Sequence, residues 1–299
     1  MTDKNIKITQ LLESNDRANI LLAFQLCVGL QKCYDRKVAK LLRKHPLLCF
    51  EHGLESDYLA SLRELMIAGR KYHPAIPQAI KTCRKLEKLH LARKQLAALP
   101  TEIGDLQGLT ELSIGHNQLT SLPAEIGNLH NLEMLNISNN QLVDLPKEIA
   151  NLQSLILLTA GHNQFEAFPE GVFALQKMEY LDYYGNGLET LPKGIGELKG
   201  LFSLSLGNNR LKSLPSEIGH LKSLHGLSLK NNAFESFPLE VTQLENLKSL
   251  DISDNPISEI PDELSDLKNL RNIKVGQTNL TKEDEDKIRS LRPGILIEY

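Results

Sequence analysis

The residues best suited to metal chemistry lie in the first part of the chain. They are Cys27, Cys33, His45, Cys49 and His52. Thiolates and imidazoles are ligands that zinc prefers, and structural zinc sites hold them at short, regular spacings. The spacing of these five residues matches no compact zinc knuckle, and Cys27 belongs to the apolar stripe of a predicted helix. We therefore interpret the cysteines as buried structural thiols and predict no metal site.

Two further histidines, His116 and His162, occupy the same position of a repeated pattern, two repeats apart. Neighbouring parallel strands are about 4.8 Å apart, which separates these rings by about 9.6 Å, too far to share one metal ion. The sequence contains no phosphate-binding loop, nucleophile elbow or H-E-x-x-H motif. Its acidic E-I-G turns recur with the repeat, so we interpret them as solvated surface. These residues therefore predict neither an enzyme nor a cofactor.

The chain contains an internal repeat of 23 residues (109 − 86). This repeat predicts the strands and turns on which side chains such as His116 and His162 lie. Its units begin at Leu86, Leu109, Leu132, Leu155, Met178, Leu201, Leu224, Leu247 and Leu270. Each unit follows the pattern L-x-x-L-x-I-x-x-N-x-L-x-x-L-P-x-x-I-x-x-L. The L-x-L part alternates apolar with polar residues, which is the period of a half-buried strand. Repetition on this scale predicts a solenoid of stacked parallel strands.

An asparagine stands at one position of seven consecutive units. These residues are Asn117, Asn140, Asn163, Asn186, Asn209, Asn232 and Asn255. Each lies where a strand turns away, so that a buried amide can bond the backbone of the turn and of the neighbouring repeat. Unpaired buried backbone groups cost about 1–3 kcal/mol each. We interpret this column as a structural asparagine ladder and assign it no binding role.

The sequence L-P-x-E-I-G recurs at residues 99–104, 122–127 and 214–219. With the 23-residue spacing, it resembles the bacterial type of leucine-rich repeat protein, and it is also similar to the plant Ras-group-related repeats. The resemblance covers the chain from about Leu86 to its end. It implies an α/β leucine-rich repeat solenoid, a curved parallel β-sheet horseshoe, with an α-helical N-terminal cap and a C-terminal helical cap. It also implies that partners bind on the concave face.

The domain organisation follows from where this pattern begins and ends. Residues 1–60 do not repeat and predict helices that cap the open apolar end of the solenoid. Residues 61–280 form the predicted solenoid, with a degenerate repeat from about Leu62 and nine further repeats from Leu86, the last one divergent. Two interpretations compete between Glu55 and Cys83. Tyr58, Leu59, Leu62, Leu65 and Met66 have helical spacing, whereas Leu62, Leu65, Ile67, Arg70, Tyr72, Ile76, Pro77 and Ile80 copy the repeat with one extra residue.

Residues 281–299 predict a C-terminal cap. Thr281 and Asp284 have the spacing of a helix capping box, and Pro293-Gly294 ends the predicted helix. The last residues, Ile295 to Tyr299, predict an extended edge segment. We expect the solenoid to end here, with no catalytic domain after it.

The overall composition excludes several classes of partner. A net charge of −3 and a pI of about 6.3 argue against nucleic acid, which requires a basic face. The longest apolar run, near Ile20 to Phe24, is too short for a membrane span. The first residues lack the apolar core and cleavage site of a secretory signal. All four cysteines precede the regular repeats without a paired framework, which favours reduced thiols in the cytoplasm.

Exposed strand positions locate a candidate binding patch. Met134, Leu157 and Tyr180 are apolar and occupy one strand position in three consecutive repeats, where most other repeats have small or polar residues. Around this patch we also predict partner-binding roles for His116, Asn136, His162, Asp182, Tyr184 and Phe202. A contiguous patch of aromatic and methionine side chains with a polar rim is typical of a protein contact. The alternative is that these residues are scattered surface side chains, which every soluble protein carries.

One repeat departs from the leucine pattern in its core. Ala160 stands at a core strand position, and the next repeat has Tyr183 there. A small residue beside a large one conserves packed volume, and the tyrosine hydroxyl would need a partner or a route to solvent. We interpret the pair as compensating core residues; the alternative is a ligand pocket at Ala160. Phe165, Phe168, Phe234 and Phe237 replace leucines and are also predicted core residues.

The predicted function is a non-enzymatic protein-protein interaction module that binds a protein or peptide on its concave face. One alternative is the recognition subunit of a signalling or ubiquitin-ligase-type machine acting in trans, because the sequence has neither a ligase region after the repeats nor a GTPase phosphate loop. Another is a surface or secreted host-interaction protein. Self-association through the apolar patch is a further possibility, because the same fold serves many tasks.

Overall fold

The computed structural model describes residues 3–14, 16–67 and 76–299. These residues form six α-helices and eleven strands. The helices are α1 (Asp3–Glu13), α2 (Arg17–Gly29), α3 (Arg36–Leu42), α4 (Pro46–His52), α5 (Ser56–Ser61) and α6 (Lys282–Leu291). The strands are β1 (Glu64–Met66), β2 (Lys88–His90), β3 (Glu111–Ser113), β4 (Met134–Asn136), β5 (Leu157–Thr159), β6 (Tyr180–Asp182), β7 (Ser203–Ser205), β8 (Gly226–Ser228), β9 (Ser249–Asp251), β10 (Asn272–Lys274) and β11 (Leu296–Glu298).

The eleven strands form one open parallel sheet, in which neighbours in sequence are neighbours in space. The register follows the sequence repeat, so that Leu112 of β3 lies opposite Leu135 of β4. In each strand the middle residue is buried and its two neighbours lie on the opposite, more accessible face. This confirms the predicted parallel solenoid, in which successive leucines bury one another between turns.

A proline and a short 3-10 helix return the chain behind the sheet in each repeat. Nine such helices occur among the described residues, from Gln78–Thr82 to Asp262–Asp266. Each follows a proline whose φ lies between −61° and −77°, close to the value that the pyrrolidine ring imposes. An apolar residue of each helix, such as Ile126 or Val172, is fully buried. The core therefore lies between the sheet and the row of 3-10 helices.

The asparagine ladder joins consecutive repeats through hydrogen bonds that are buried or partly buried. The Asn209 amide nitrogen lies 3.0 Å from the carbonyl oxygens of Tyr183 and Leu206, and its Oδ1 accepts the Leu188 N–H at 3.1 Å. The other six asparagines make the equivalent bonds to the carbonyls 26 and 3 residues earlier and to the amide 21 residues earlier. Each side chain thus satisfies backbone groups of two repeats.

The residue before each ladder asparagine has a left-handed backbone. The φ angles of His116 and His162 are both 56°, and that of Gly185 is 69°. The N–H of this residue donates to the next repeat, as from His162 to the Tyr184 carbonyl at 2.7 Å. Asparagine, aspartate, histidine and glycine tolerate this conformation best and fill most of the column. The backbone therefore constrains which residues can stand where His116 and His162 do.

Helices α1 to α5 cover the first turn of the solenoid, as the predicted cap requires. Phe24, Leu54 and Leu59 belong to one continuous core with Ile80 of the first 3-10 helix. The Cys83 thiol donates to the Leu59 carbonyl at 3.0 Å and ties this helix to α5. Apolar side chains that would otherwise line an open end of the solenoid are thereby removed from water.

The segment from Glu55 to Cys83 contains both of the structures that compete in the sequence. Residues 56–61 form α5, and β1 then pairs with β2, with Glu64 opposite Lys88. This step of 24 residues (88 − 64) accommodates the extra residue of the degenerate repeat. Arg70 and Tyr72, which belong to the predicted repeat pattern, lie outside the described residues.

The C-terminal cap is confirmed at its capping box. The Thr281 hydroxyl accepts the Asp284 N–H at 3.3 Å, and the Asp284 carboxylate accepts the Thr281 N–H at 2.9 Å. These bonds start α6, and the chain after it returns as β11, which pairs with β10. The last helix and strand therefore cover the far end of the sheet.

The irregular core around Ala160 is filled by aromatic side chains. Ala160 and Tyr183 are both fully buried, and the Tyr183 ring stacks 4.5 Å from Phe168 and lies 5.2 Å from Phe165. The sequence predicts that the Tyr183 hydroxyl has a hydrogen-bond partner or a route to solvent. It has neither, because it is buried and no described residue bonds to it. Burial and the nearby Asp144 carboxylate raise its pKa well above the usual value, so the phenol stays neutral.

Replacing a ladder asparagine should destabilise the chain. Asn209→Ala leaves buried backbone groups of two repeats unpaired, so we expect the free energy of unfolding to fall by about 3 kcal/mol. Asn151→Ala, which changes an exposed asparagine, should alter it by less than about 0.5 kcal/mol. Urea denaturation followed by circular dichroism measures both. Equal effects of the two substitutions would contradict a structural ladder.

Removing the Tyr183 hydroxyl should not lower the free energy of unfolding, in contrast to Asn209→Ala. Tyr183→Phe eliminates a buried, unpaired polar group and should leave the free energy of unfolding unchanged or raise it by about 1 kcal/mol. Tyr34→Phe is the comparison, because the Tyr34 hydroxyl donates a hydrogen bond to the Glu55 carboxylate at 2.8 Å. Its loss should lower the free energy of unfolding by about 1 kcal/mol. The same denaturation measurement compares the two; a clear loss of stability in Tyr183→Phe would refute the account of its hydroxyl.

Candidate functional site

The concave patch, which we define as Met134, Leu157 and Tyr180, is contiguous. Leu157 lies opposite Met134 on one side and opposite Tyr180 on the other, in adjacent strands. Met134 is 38% exposed, Tyr180 is 39% exposed and Leu157 is half-buried between them. Equivalent positions in the following strands hold Ser203, Gly226 and Ser249. Three apolar side chains thus lie side by side in one row of the sheet, and the next three positions of that row are small or polar.

Aromatic rings extend the concave patch toward β8. Phe202, 41% exposed, lies immediately before β7, and its ring centroid is 5.8 Å from that of Tyr180. On its other side Phe202 stacks on His225, with centroids 4.4 Å apart. Phe202 is one of the predicted binding residues, whereas His225 is not. Their separation of 23 residues (225 − 202) was the signal that they occupy neighbouring repeats.

The other predicted binding residues do not form one cluster with the patch. His162 and Tyr184 meet edge to face, with ring centroids 5.2 Å apart, at the opposite ends of the strands from Phe202. His116 is exposed two repeats away from His162 and lines a separate depression with Arg93 and Gln95. The structure therefore brings Met134, Leu157, Tyr180 and Phe202 together and leaves His116 apart.

Asn136 and Asp182 have a local structural role at the ends of their strands. Asn136 Oδ1 accepts the Ser138 N–H at 3.0 Å, and Asp182 Oδ1 accepts the Tyr184 N–H at 2.9 Å. Side chains that bond the backbone two residues later stabilise the turn that follows. Each therefore shapes the rim of the patch, with one oxygen already occupied.

Charge on this face is unevenly distributed. Glu111 forms ion pairs with Lys88 at 3.2 Å and His90 at 3.6 Å at the start of the sheet. Glu133 and Glu179 precede β4 and β6, are exposed, and form no ion pair with any described residue. Carboxylates without an ion-pair partner among the described residues therefore stand directly before Met134 and Tyr180 in the chain.

Three of the four cysteines serve packing. Cys27, Cys49 and Cys83 are buried free thiols. Burial raises the pKa of Cys27 and Cys83 to about 11 and that of Cys49 to about 12. The Cys49 thiol donates to the Leu42 carbonyl at 3.2 Å. Within the described part of the chain, no three His, Cys, Asp or Glu side chains are placed to hold a metal ion.

The repeat geometry agrees with the comparison with known families. The model of the leucine-rich repeat region matches residues 56–158 and 124–209, and that of the leucine rich repeat matches residues 246–267. Together, the first two ranges span more than half of the chain. The chain belongs to the leucine-rich repeat family. No curated protein sequence matches it.

Several solved leucine-rich repeat structures are similar to this chain. A leucine-rich repeat protein of Leptospira interrogans is 30% identical, with a TM-score of 0.54 over 75% of this chain and 74% of that one. An internalin of Listeria monocytogenes is 25% identical, with a TM-score of 0.53 over 81% and 82%. The repeats thus resemble those of bacterial members of the family.

A plant structure adds an example with a bound partner. The plant peptide hormone receptor RGFR1, solved in complex with RGF2, is 31% identical, with a TM-score of 0.59 over 75% of this chain. This chain spans 41% of that receptor. Similarity to such receptors indicates a protein-interaction module in general. Among the described residues, no helix is long and apolar enough to cross a membrane.

Thiol labelling tests the packing role of the cysteines. A thiol with a raised pKa is protonated at pH 8 and reacts poorly, whereas Cys33 is exposed. We expect a chromogenic disulfide reagent to modify one thiol per folded chain and all four after denaturation. Cys33→Ser should remove the reaction of the folded chain. Reaction of a second thiol in the folded state would contradict buried, structural cysteines.

Proposed function

We propose that this chain is a non-enzymatic binding module that captures a protein or peptide on its concave face, with the concave patch as the centre of the contact. The observation that carries the proposal is the alignment of Met134, Leu157 and Tyr180 in adjacent strands while they remain accessible. A folded chain gains nothing from holding such side chains in water. A partner that covers them gains about 25 cal/mol for each Å² of apolar surface removed from water.

The residue types suit an interface. Methionine adapts its flexible side chain to a partner, and tyrosine combines a large apolar ring with a hydroxyl that can remain hydrogen-bonded. Tyrosine is also enriched among the residues that contribute most to binding energy. Phe202 beside Tyr180 enlarges the surface that a partner can cover. The peptide-bound plant receptor supports this type of role by its similarity.

The same proposal includes a cytoplasmic location. It is supported by Cys27, Cys49 and Cys83, which are free thiols packed in the core and are compatible with a reducing compartment. Cys33 adds an exposed thiol that an oxidising compartment would leave open to intermolecular pairing. Fractionation of cells of the source organism, with detection by antibody, tests the location.

Charge introduced into the patch should abolish binding. We expect the Met134→Glu, Tyr180→Glu double variant to lose the proteins that the wild type captures from lysate of the source organism, because the apolar surface that the partner covers is removed and the new carboxylates must give up their water. Affinity capture followed by mass spectrometry measures this. Circular dichroism checks that the variant is folded.

Exposed apolar residues outside the concave face provide a matched control. Val143 and Leu239 are 60% and 50% exposed, and neither lies in a strand. The Val143→Glu, Leu239→Glu variant should retain the captured proteins. If both double variants lose the same proteins, or if neither does, the concave patch is not the binding site.

A further inference from the structure

Acidic side chains frame the concave patch. The relevant positions in β3 to β6 are the first and third residues of each strand and the residue immediately before the strand. These positions contain Glu111, Glu133, Glu179 and Asp182, and they contain no lysine or arginine. A concave surface lined by charges of one sign concentrates ligands of the opposite sign.

Three of these carboxylates remain available to a partner. Glu133 and Glu179 form no ion pair with any described residue. Lys177, the nearest basic residue before Glu179 in the sequence, therefore does not pair with it. Asp182 uses one oxygen for the Tyr184 N–H and leaves the other free. Glu111 is already paired with Lys88. Most of the carboxylates around the patch therefore form no ion pair with the described residues.

Apart from His225, which stacks on Phe202, the basic residues of the concave face lie away from the patch. Lys88 and His90 are in β2, at one end of the sheet, whereas Lys248, Arg271 and Lys274 lie in or beside β9 and β10 near the other end. Exposed charges separated by more than a Debye length, about 8 Å in physiological salt, are largely screened from one another. The carboxylates beside the patch thus set the local potential.

The exposed aromatic surface suits a cation as well as an apolar group. Lysine and arginine bind over the faces of tyrosine and phenylalanine rings, and nearby carboxylates strengthen this attraction. Tyr180 and Phe202 are exposed and in contact, with Glu179 directly before Tyr180 in the chain. Met134 and Leu157 provide the adjoining apolar surface.

We propose that the concave patch recognises an extended peptide segment in which lysine or arginine side chains accompany apolar ones. This inference rests on the proposed function and adds the chemistry of the partner. The apolar side chains cover Met134 and Leu157, and the cations pair with Glu133, Glu179 and Asp182. Two strand spacings between β4 and β6 make about 9.6 Å, the length of about three residues of extended chain.

A random peptide library displayed on phage tests the chemistry. Peptides are selected on the wild-type chain and then depleted on a Met134→Ser, Tyr180→Ser variant, which removes the apolar surface without adding negative charge. We expect the remaining peptides to be enriched in lysine or arginine together with apolar residues. The most enriched peptide is then synthesised with a fluorescent label, and its dissociation constant is measured by fluorescence anisotropy.

Charge reversal provides the quantitative test. Glu133→Lys, Glu179→Lys should weaken binding of this peptide by about tenfold or more, because two attractive charge contacts become repulsive. Glu189→Lys, Glu235→Lys is the control, since both residues are exposed and lie outside the strands. They are 46 residues apart (235 − 189), the same separation as Glu133 and Glu179 (179 − 133). The control makes the same change in net charge and should weaken binding less than about twofold at physiological salt.

The outcomes separate this inference from the proposed function. Enriched peptides that are neutral or acidic, yet are lost on the Met134→Ser, Tyr180→Ser variant, would overturn the basic partner and retain the concave site. Peptides that bind this variant as well as the wild type would refute both. Equal weakening by the two charge-reversal variants would show attraction to the whole chain and overturn the inference. A selection that enriches no peptide would also overturn it.

Discussion

The fold depends on satisfying the backbone at one turn in every repeat. Strands of three residues are too short to hold a sheet by their own hydrogen bonds, and the chain must leave each strand without exposing buried carbonyl and amide groups. The ladder asparagines meet this requirement. Asn209, for example, bonds the backbone of Tyr183 and Leu188 in the preceding repeat and of Leu206 and Gly207 in its own. The left-handed residue before each one bonds the following repeat as well. These bonds lock successive repeats at one spacing.

Fixed spacing is what turns sequence columns into surfaces. Because β4, β5 and β6 stay in register, Met134, Leu157 and Tyr180 become a continuous patch although 23 residues separate each from the next. The same repeats contain the most irregular core, where the ring of Tyr183 fills space beside Ala160. Conserved core volume allows these repeats to keep their register. Residues on the surface of these repeats and in their core can therefore differ from the repeat pattern while the strands stay paired.

The sequence predicted the features that repeat and missed those that depend on a single side chain. The leucine period and the Thr281 capping box were sufficient for the solenoid and its C-terminal cap, because each rests on local periodicity. The stacking of His225 on Phe202 was missed because only one of the two is hydrophobic. The unpaired Tyr183 hydroxyl was not foreseen, since its surroundings come from residues distant in the chain. The turn role of Asp182 likewise requires its backbone geometry.

The central claim is that partners contact the concave patch. Photo-crosslinking tests it most directly, with a photoreactive phenylalanine derivative placed at Tyr180 or, as the comparison, at Leu239, which is 50% exposed and lies in a 3-10 helix behind the sheet. After irradiation in lysate of the source organism, a covalent adduct with a partner should form from position 180 and not from position 239. Adducts that form only from position 239, or equally from both, would contradict the account.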